Sequence, residues 1–321
     1  MENTTEIIKE SIQKAKESLA RIIIGQDRVI ELALITVFSG GHALLEGVPG
    51  IAKTLMVKSI AKIISTSFNR IQFTPDLMPS DITGNNVFNM KTSEFTLVKG
   101  PIFSCFVLAD EINRAPAKTQ AALLQAMQEK QVSIDGRTYQ LPKNFTVFAT
   151  QNPIEFEGTY PLPEAMKDRF LIKISIDYPL EQDELTLISR ISQNDSQEDN
   201  LDKELCKEVL NEHILSMVKE SLNIITVKDE LIRYIVKLVR KTREFPPILV
   251  GGSPRASQAL LQTSRILAVI RNRDFVTPDD IKDMALPVLA HRLILRPEYE
   301  IEGLRMEEVI NDIVRQCEIP R

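Results

Sequence analysis

The pattern of apolar and polar residues changes near residue 178. Before it, short apolar runs alternate with segments of helical periodicity, whereas after it only helical patterns follow. Alternating strands and helices are typical of a parallel sheet covered by helices on both faces. The pattern therefore predicts an α/β core with a three-layer α/β/α arrangement at residues 1–178 and a small all-helical domain at residues 179–321.

Four apolar runs are predicted to form strands of the core sheet, at residues 44–45, 102–109, 145–150 and 170–176. Their nearly continuous apolar character indicates burial on both faces, as in the middle of a parallel sheet. Polar segments follow three of these runs: a loop that begins at Gly47, the pair Asp110-Glu111, and Asn152. Ligands bind at the carboxyl ends of strands in open α/β sheets, so these segments hold the candidate functional residues.

The loop after the first strand predicts a phosphate site of the P-loop NTPase type. It consists of Gly47, Val48, Pro49, Gly50, Ile51, Ala52, Lys53 and Thr54, and Leu55 continues it into a helix. Backbone N–H groups and the helix N-terminus would hold the phosphates, Lys53 would contact the β- and γ-phosphates, and Thr54 would ligate Mg²⁺. The strict motif has glycine where this chain has Ala52, and alanine is compatible if the backbone there does not need positive φ. The alternative is an ordinary strand–turn–helix with Gly50 in the turn.

Two carboxylates and one amide follow the later strands. We predict that Asp110 holds Mg²⁺ through its water shell and that Glu111 acts as the general base for the water that attacks the γ-phosphate. Asn152 would hydrogen-bond that water or the γ-phosphate. The alternative interpretations are that Asp110 caps the next helix, that Glu111 is a solvated charge, and that the Asn-Pro pair starts a turn.

Two insertions interrupt the core. Residues 75–101 contain Pro, Asp and Gly with short alternating stretches, and residues 131–141 have Asp135-Gly136 between alternating segments, which predicts a β-hairpin. The insertions either contact a substrate or are surface elements without a role.

The order of these motifs resembles an AAA+ ATPase, and more narrowly its MoxR branch. The matching stretches are residues 47–54 including Ala52, 73–84, 109–115, 163–170 and 252–256. The resemblance extends from about residue 6 to near the C-terminus. It implies an ATPase that uses ATP and Mg²⁺, works as a homo-oligomeric ring, expected to be a hexamer, and remodels, activates or assists metal insertion into client proteins, among them proteins with a von Willebrand factor A domain.

The resemblance also implies roles for single residues. Asn152 matches sensor 1, and Arg169 in Asp168-Arg169-Phe170 matches the arginine finger, which completes the site of a neighbouring subunit. Arg255 matches sensor 2, which reaches the γ-phosphate of its own subunit. Ile24, Gly25 and Gln26 match the segment that lies against adenine, and the two insertions match hairpins that face the ring pore.

The residues around Arg255 support an anion nearby. Ser253 and Pro254 favour a helix start, with Ser253 as N-cap and Pro254 at the first helical position. Arg255 would then lie in the first turn, where a cation is disfavoured by the helix dipole. A triphosphate would offset that cost. The alternative for both Arg169 and Arg255 is an extended side chain on the surface.

Composition excludes several other classes. The net charge of −5 and the absence of Trp argue against a nucleic-acid partner, and no apolar run is long enough to span a bilayer. The polar N-terminus gives no secretory signal, and the three scattered cysteines fit a reducing compartment, so we predict a cytoplasmic protein without stable membrane insertion.

Two functional hypotheses from different classes remain. The first is an active ring ATPase, and the second is an ATP-gated interaction module with negligible turnover. A nucleic-acid motor is a weaker third hypothesis because the chain is acidic. Glu111 favours the first, since a module that only binds ATP has little use for a carboxylate at that position.

Overall fold

A five-stranded sheet forms the centre of the core. The computed structural model describes residues 2–48, 52–91, 93–152, 159–192, 210–222 and 225–320. The strands of the sheet are β1 (Ala43–Glu46), β2 (Phe68–Gln72), β5 (Phe106–Asp110), β8 (Thr146–Gln151) and β9 (Ile172–Ser175). Their order is β2–β5–β8–β1–β9, and all neighbours are parallel. The predicted parallel sheet is confirmed.

Helices cover both faces of this sheet. In the core they are α1 (Glu2–Ile22), α2 (Asp27–Ser39), α3 (Lys53–Ile63), α4 (Pro79–Thr83), α5 (Ala117–Glu129) and α6 (Glu164–Lys167). Side chains of β5 alternate between two apolar clusters: Phe106 and Leu108 join the cluster that contains α1, α2 and α3, whereas Val107 and Ala109 join the one that contains α5. This alternation is the reason that the run is apolar throughout.

The strand predicted at residues 102–109 begins later than expected. Pro101–Phe103 forms a 3₁₀ turn, and β5 starts only at Phe106. Proline suits the first position of a helical turn because its φ is fixed and its missing N–H is not needed there. Ile102 is nevertheless fully buried, so the apolar run reports burial beyond the end of the strand. Strand β2 was not predicted, because polar residues occupy three of its five positions.

Both insertions contain hairpins. The first pairs β3 (Gly84–Asn89) with β4 (Glu94–Lys99), and the second pairs β6 (Gln131–Ile134) with β7 (Arg137–Gln140). The turn of the second hairpin has φ of 48° at Asp135 and 78° at Gly136, so the predicted hairpin is confirmed. The side chain of Asn86 donates to Asp135 at 2.8 Å, which joins the two hairpins.

The C-terminal part is helical, with one small exception. Its helices are α7 (Glu181–Ser192), α8 (Glu212–Ser221), α9 (Asp229–Glu244), α10 (Pro254–Ile270), α11 (Pro278–Leu289), α12 (Pro297–Ile301) and α13 (Met306–Gln316). The exception is an antiparallel pair of short strands, β10 (Ile248–Val250) and β11 (Ile294–Leu295), where only helices were expected. These strands were missed because two or three residues give no recognisable alternation.

The predicted helix starts at Pro254 and Pro278 are confirmed. Ser253 accepts a hydrogen bond from the N–H of Arg255, and Thr277 forms a capping box with Asp280. The polar segment 193–200 and the first part of the helix predicted at 203–220 lie outside the described residues. Across the described ranges, no helix combines the length and apolar character needed to cross a lipid bilayer.

Candidate functional site

The candidate functional residues divide between the two edges of the parallel sheet. At the carboxyl edge, β1 ends at Glu46, β5 at Asp110 and β8 at Gln151. At the amino edge, the N–H of Leu171 donates to the carbonyl of His42 at 2.8 Å, just before β9 and β1 begin. The edges are separated by the length of a strand, which is about 13 Å for the four residues of β1. A residue at one edge is therefore distant from groups at the other.

Lys53 opens helix α3 at the carboxyl edge. Its ammonium group donates to the carbonyl of Gly47 at 2.6 Å, so the side chain folds back towards the end of β1. Burial lowers the pKa of Lys53, and nearby carboxylates, above all Asp110, oppose that shift. Thr54 and Leu55 follow in the first turn of α3, whereas Pro49, Gly50 and Ile51 lie outside the described residues.

Ala52 departs from the condition set by the sequence. We expected alanine to be compatible if the backbone did not need positive φ, yet Ala52 has φ of 59° and ψ of 22°. This left-handed conformation is the reason that the strict motif has glycine at the position. Ala52 therefore places a strained residue directly before Lys53.

Both oxygens of Asp110 are engaged. The hydroxyl of Thr150 donates to Oδ1 at 2.6 Å, and Arg70 donates to Oδ2 through Nε at 3.0 Å and Nη2 at 2.5 Å. Thr150 also accepts the backbone N–H of Glu111 at 2.8 Å. Asp110 ends β5 and precedes no regular α-helix, so the alternative role as a helix cap does not describe it.

Glu111 is held in place by two side chains. Gln72 donates to its Oε2 at 2.8 Å, and Nε of Arg114 lies 3.1 Å from the same oxygen. The backbone of Glu111 has φ of 56° and ψ of 49°, which is unusual for a residue other than glycine. Such strain is common at functional sites, and here it turns the carboxylate back across the end of β2. The alternative of a freely solvated charge does not fit.

Asn152 and residues 24–26 also lie at the carboxyl edge of the sheet. Asn152 directly follows β8, next to the strand that ends in Asp110. Between α1 and α2, Gln26 donates to the carbonyl of Asp177 at 2.9 Å, just beyond the end of β9. Gly25 has φ of 72°, and a side chain there would meet the carboxylate of Asp183 at 2.5 Å. The segment Ile24-Gly25-Gln26 therefore lies at the same edge as the phosphate loop.

Arg169 and Arg255 lie at the opposite edge. Arg169 comes just before β9, and Nη1 of Arg255 lies 3.8 Å from Oδ2 of Asp168. One cavity is lined by Met127, Gln128, Asp168, Arg169 and Arg255. Met127 and Gln128 belong to the end of α5, which has run back from the carboxyl edge. The structure thus brings the two arginines together, and it does not bring them to Lys53, Asp110 and Glu111.

Arg255 lies away from the carboxyl edge of its own subunit. We expected it to reach a γ-phosphate bound there, whereas its Nη1 lies 3.8 Å from Oδ2 of Asp168 at the amino edge of the sheet. The contacts of the C-terminal helical part with the core explain this position. Arg292, whose side chain is 4% exposed, donates to Asp168, Phe170 and Leu171, and His291 contacts the carbonyl of Phe170 at 2.9 Å.

Sequence reasoning missed four residues that organise the site: Arg70, Gln72, Thr150 and Asp168. Arg70 and Gln72 are exposed on either side of buried Ile71 in β2. The alternation of polar and apolar residues in this short segment was therefore the available signal for a strand. Thr150 and Asp168 act through tertiary hydrogen bonds for which the sequence gives no signal.

Comparisons with known proteins place the chain in a family. Residues 42–172 match the ATPase family associated with various cellular activities (AAA), and residues 240–313 match the AAA lid domain. The chain is 42% identical to Chaperone MoxR1 of Mycobacterium tuberculosis, over 97% of this chain and 83% of that protein. It belongs to the MoxR family of AAA+ ATPases. The predicted resemblance is confirmed, and the activity of the family is ATP hydrolysis.

Other relatives agree with this membership. YeaC of Bacillus subtilis is 44% identical over 96% of this chain and 94% of its own length. A crystal structure of a candidate ATPase from Cytophaga hutchinsonii has a TM-score of 0.91 and 41% identity, and the match covers 100% of this chain and 98% of that one. The full-length match shows that core and lid occur together in these MoxR-family relatives.

Proposed function

We propose that this MoxR-family ATPase hydrolyses Mg²⁺–ATP at an active site shared between neighbouring subunits of a ring, and that turnover remodels client proteins. The observation that carries the proposal is the separation of Arg169 and Arg255 from Lys53, Asp110 and Glu111 by the length of the sheet. One subunit offers a phosphate site at one edge and two arginines at the other. A neighbour stacked edge to edge would complete the site. We further propose residues 1–178 as the nucleotide-binding core and 179–321 as the lid.

The residues of the carboxyl edge fit Mg²⁺ and a triphosphate. Mg²⁺ prefers oxygen ligands and keeps several of its waters, so Thr54 would supply a hydroxyl ligand and Asp110 would hold the metal through its water shell. When bound, the metal would neutralise charge that develops on the β- and γ-phosphates. Lys53 would hold those phosphates, and the residues 24–26 would lie against adenine.

Glu111 and Asn152 would act on the attacking water. Glu111 is fixed by Gln72 and Arg114 at the end of β2 and β5, where it can accept a proton from a water in line with the γ-phosphate. Asn152, at the end of the neighbouring strand, would orient that water.

Arg169 and Arg255 would serve the nucleotide of the neighbouring subunit. An arginine supplied in trans stabilises the charge of the transition state and accelerates phosphoryl transfer by about 10³–10⁵-fold. Both arginines face one cavity, and the side chain of Arg255 is 56% exposed. Its ion pair with Asp168 is therefore weak, and Arg255 can exchange this carboxylate for a triphosphate, which carries more negative charge.

The hairpin β3–β4 supports a role with client proteins. It exposes large apolar side chains, and Phe88 and Phe95 stack edge to face with their ring centroids 5.3 Å apart. Met90 is 89% exposed and Phe95 is 72% exposed. Exposed apolar groups concentrated on one hairpin mark an interaction site. MoxR1 is named a chaperone, and we propose protein clients for this chain as well. The specific clients that we propose are proteins with a von Willebrand factor A domain, in which this ATPase would assist metal insertion. We propose a hexamer for the ring.

A mixing experiment tests the shared site. Glu111→Gln subunits keep both arginines but lack the base, and Arg169→Ala/Arg255→Ala subunits keep Glu111 but lack the arginines. Each variant alone should be inactive. An equimolar mixture should regain ATP hydrolysis, because a subunit without the base can still supply its arginines to a neighbour that keeps Glu111. If the mixture stays inactive although the oligomers exchange subunits, the arginines do not act in trans.

One observation favours a second function, an ATP-gated module with negligible turnover. Both carboxylates are held by side chains of their own subunit, Asp110 by Arg70 and Glu111 by Gln72 and Arg114. A concentration series of ATP hydrolysis decides between the two functions. A hydrolysis rate that rises with protein concentration and is abolished by Glu111→Gln supports the ring ATPase, and equal low rates for both proteins support the module.

A further inference from the structure

Arg70 pairs with one carboxylate oxygen of Asp110, and Thr150 pairs with the other. Both Nε and Nη2 of Arg70 donate to Oδ2, at 3.0 and 2.5 Å, while Oδ1 accepts the hydroxyl proton of Thr150. Nη2 also donates to Oε1 of Gln72 at 2.7 Å. The guanidinium therefore takes the oxygen that would accept hydrogen bonds from the water shell of a cation held by Asp110.

The side chains of Asp110 and Arg70 differ in how easily they can move. Asp110 is fixed by β5 and Thr150, and its side chain is 15% exposed, whereas the side chain of Arg70 is 49% exposed on β2. A half-exposed arginine can leave its partner for water at small cost. Asp110 cannot move in the same way without breaking the Thr150 hydrogen bond.

We infer that Arg70 is the resident counter-ion of Asp110 in the nucleotide-free subunit and that Mg²⁺ must displace it. This rests on the proposed function, in which Asp110 is a metal carboxylate. When the metal binds alone, its attraction to Asp110 replaces the attraction between Asp110 and Arg70, so the net gain in free energy is small. Metal that arrives with a triphosphate brings negative oxygens that offset the freed guanidinium. Arg70 thereby makes metal binding depend on nucleotide.

The displacement reaches the catalytic base through one side chain. Gln72 accepts from Arg70 through Oε1 and donates to Glu111 through Nε2, so Asp110, Arg70, Gln72 and Glu111 form a continuous chain of hydrogen bonds. When Arg70 leaves, the acceptor oxygen of Gln72 loses its donor. The position of Glu111 thus responds to the arrival of the metal at Asp110.

Binding of Mn²⁺ to the nucleotide-free protein, followed by electron paramagnetic resonance, tests the inference without catalysis. Arg70→Met should bind Mn²⁺ about fivefold more tightly than the wild type, as expected for the loss of one half-exposed ion pair. Arg70→Lys, which keeps the charge but not the paired donors, should lie between them. The gain should vanish when Asp110→Asn is added to Arg70→Met.

Arg114→Met is the matched control, because it removes the same charge from the same site but from the partner of Glu111. Its Mn²⁺ affinity should change by less than about twofold. An unchanged or weaker affinity in Arg70→Met, or an equal gain in Arg114→Met, would overturn the inference. Asp110→Asn assayed with ATP separates the two proposals: if it leaves Mn²⁺–ATP affinity unchanged, Asp110 is not a metal carboxylate and the proposed function fails at that residue.

Discussion

The hydroxyl of Thr150 donates to Oδ1 of Asp110 at 2.6 Å and accepts the backbone N–H of Glu111 at 2.8 Å. One side chain on β8, 1% exposed, thus sets the positions of both carboxylates at the end of β5. These bonds explain why two adjacent acidic residues hold different, fixed directions.

Replacing Thr150 by valine, which has the same shape, should lower both stability and turnover. The partly buried N–H of Glu111 would lose its partner, which costs about 1 kcal/mol of unfolding free energy. Urea unfolding and ATP hydrolysis measure the two effects. Thr150→Ser keeps the hydroxyl and should retain most of the activity; equal losses in both variants would show that the methyl group, not the hydroxyl, matters.

Replacing Ala52 by glycine should leave the protein as stable or stabilise it by up to about 1 kcal/mol. The left-handed backbone at Ala52 costs an L-residue about 1–2 kcal/mol, and the greater freedom of unfolded glycine offsets part of the gain. Thermal unfolding checks the change. Ala52→Val, which adds β-branching at positive φ, should be destabilised; a stable valine variant would contradict the strain.

The two arginines that contact Asp168 should contribute very differently to stability. Arg292 is nearly buried, and burial lowers its pKa while Asp168 opposes the shift, whereas Arg255 is mostly exposed. Arg292→Met should cost about 3 kcal/mol because it breaks a buried pair and leaves carbonyls of the core without a donor. Arg255→Met should cost less than about 1 kcal/mol. Urea unfolding compares them, and equal losses would mean that Arg292 does not tie the lid to the core.

Stability should fall as the pH falls from about 6.5 towards 4. Burial lowers the pKa of His42 to about 4, with Nδ1 accepting from Val147 and Nε2 facing the carbonyl of Met127. The unfolded chain binds more protons than the folded protein in this range. The contribution of neutral His42 to the free energy of unfolding is therefore complete above the ordinary pKa of histidine and falls by about 3 kcal/mol as the pH approaches 4.

The pH dependence of unfolding free energy in His42→Gln checks this expectation. The slope between these pH values should become smaller in the variant. It should not vanish, because burial also lowers the pKa of His291 and adds a slope of the same sign. An unchanged slope would show that His42 does not titrate on unfolding.

Replacing Phe88 and Phe95 by serine should separate client binding from catalysis. Both side chains are exposed on the β3–β4 hairpin, so their loss leaves the folded core intact and basal ATP hydrolysis near the wild-type rate. Binding of an unfolded model protein, measured by fluorescence anisotropy, should weaken. Lys91→Ser on the same hairpin is the control, and equal weakening in it would argue against apolar recognition.

The sequence by itself determined the parallel core, the lid helices and the residues of the carboxyl edge. These features depend on local information: apolar runs predict buried strands, a short loop motif predicts a phosphate site, and polar residues after neighbouring parallel strands must meet at one edge. The hairpin at Asp135-Gly136 was also predicted from local information, since its turn needs two residues with positive φ.

Tertiary structure alone decided how these parts face one another. The pairing of Arg70 with Asp110 joins residues 40 positions apart, and the contacts of Arg292 with Asp168 and Phe170 join residues more than 120 positions apart. No local pattern encodes which side of the sheet a lid will cover. That choice placed Arg255 at the amino edge beside Arg169 and away from its own phosphate loop, because Arg292 and His291 of the lid hydrogen-bond to residues 168–171 of the core.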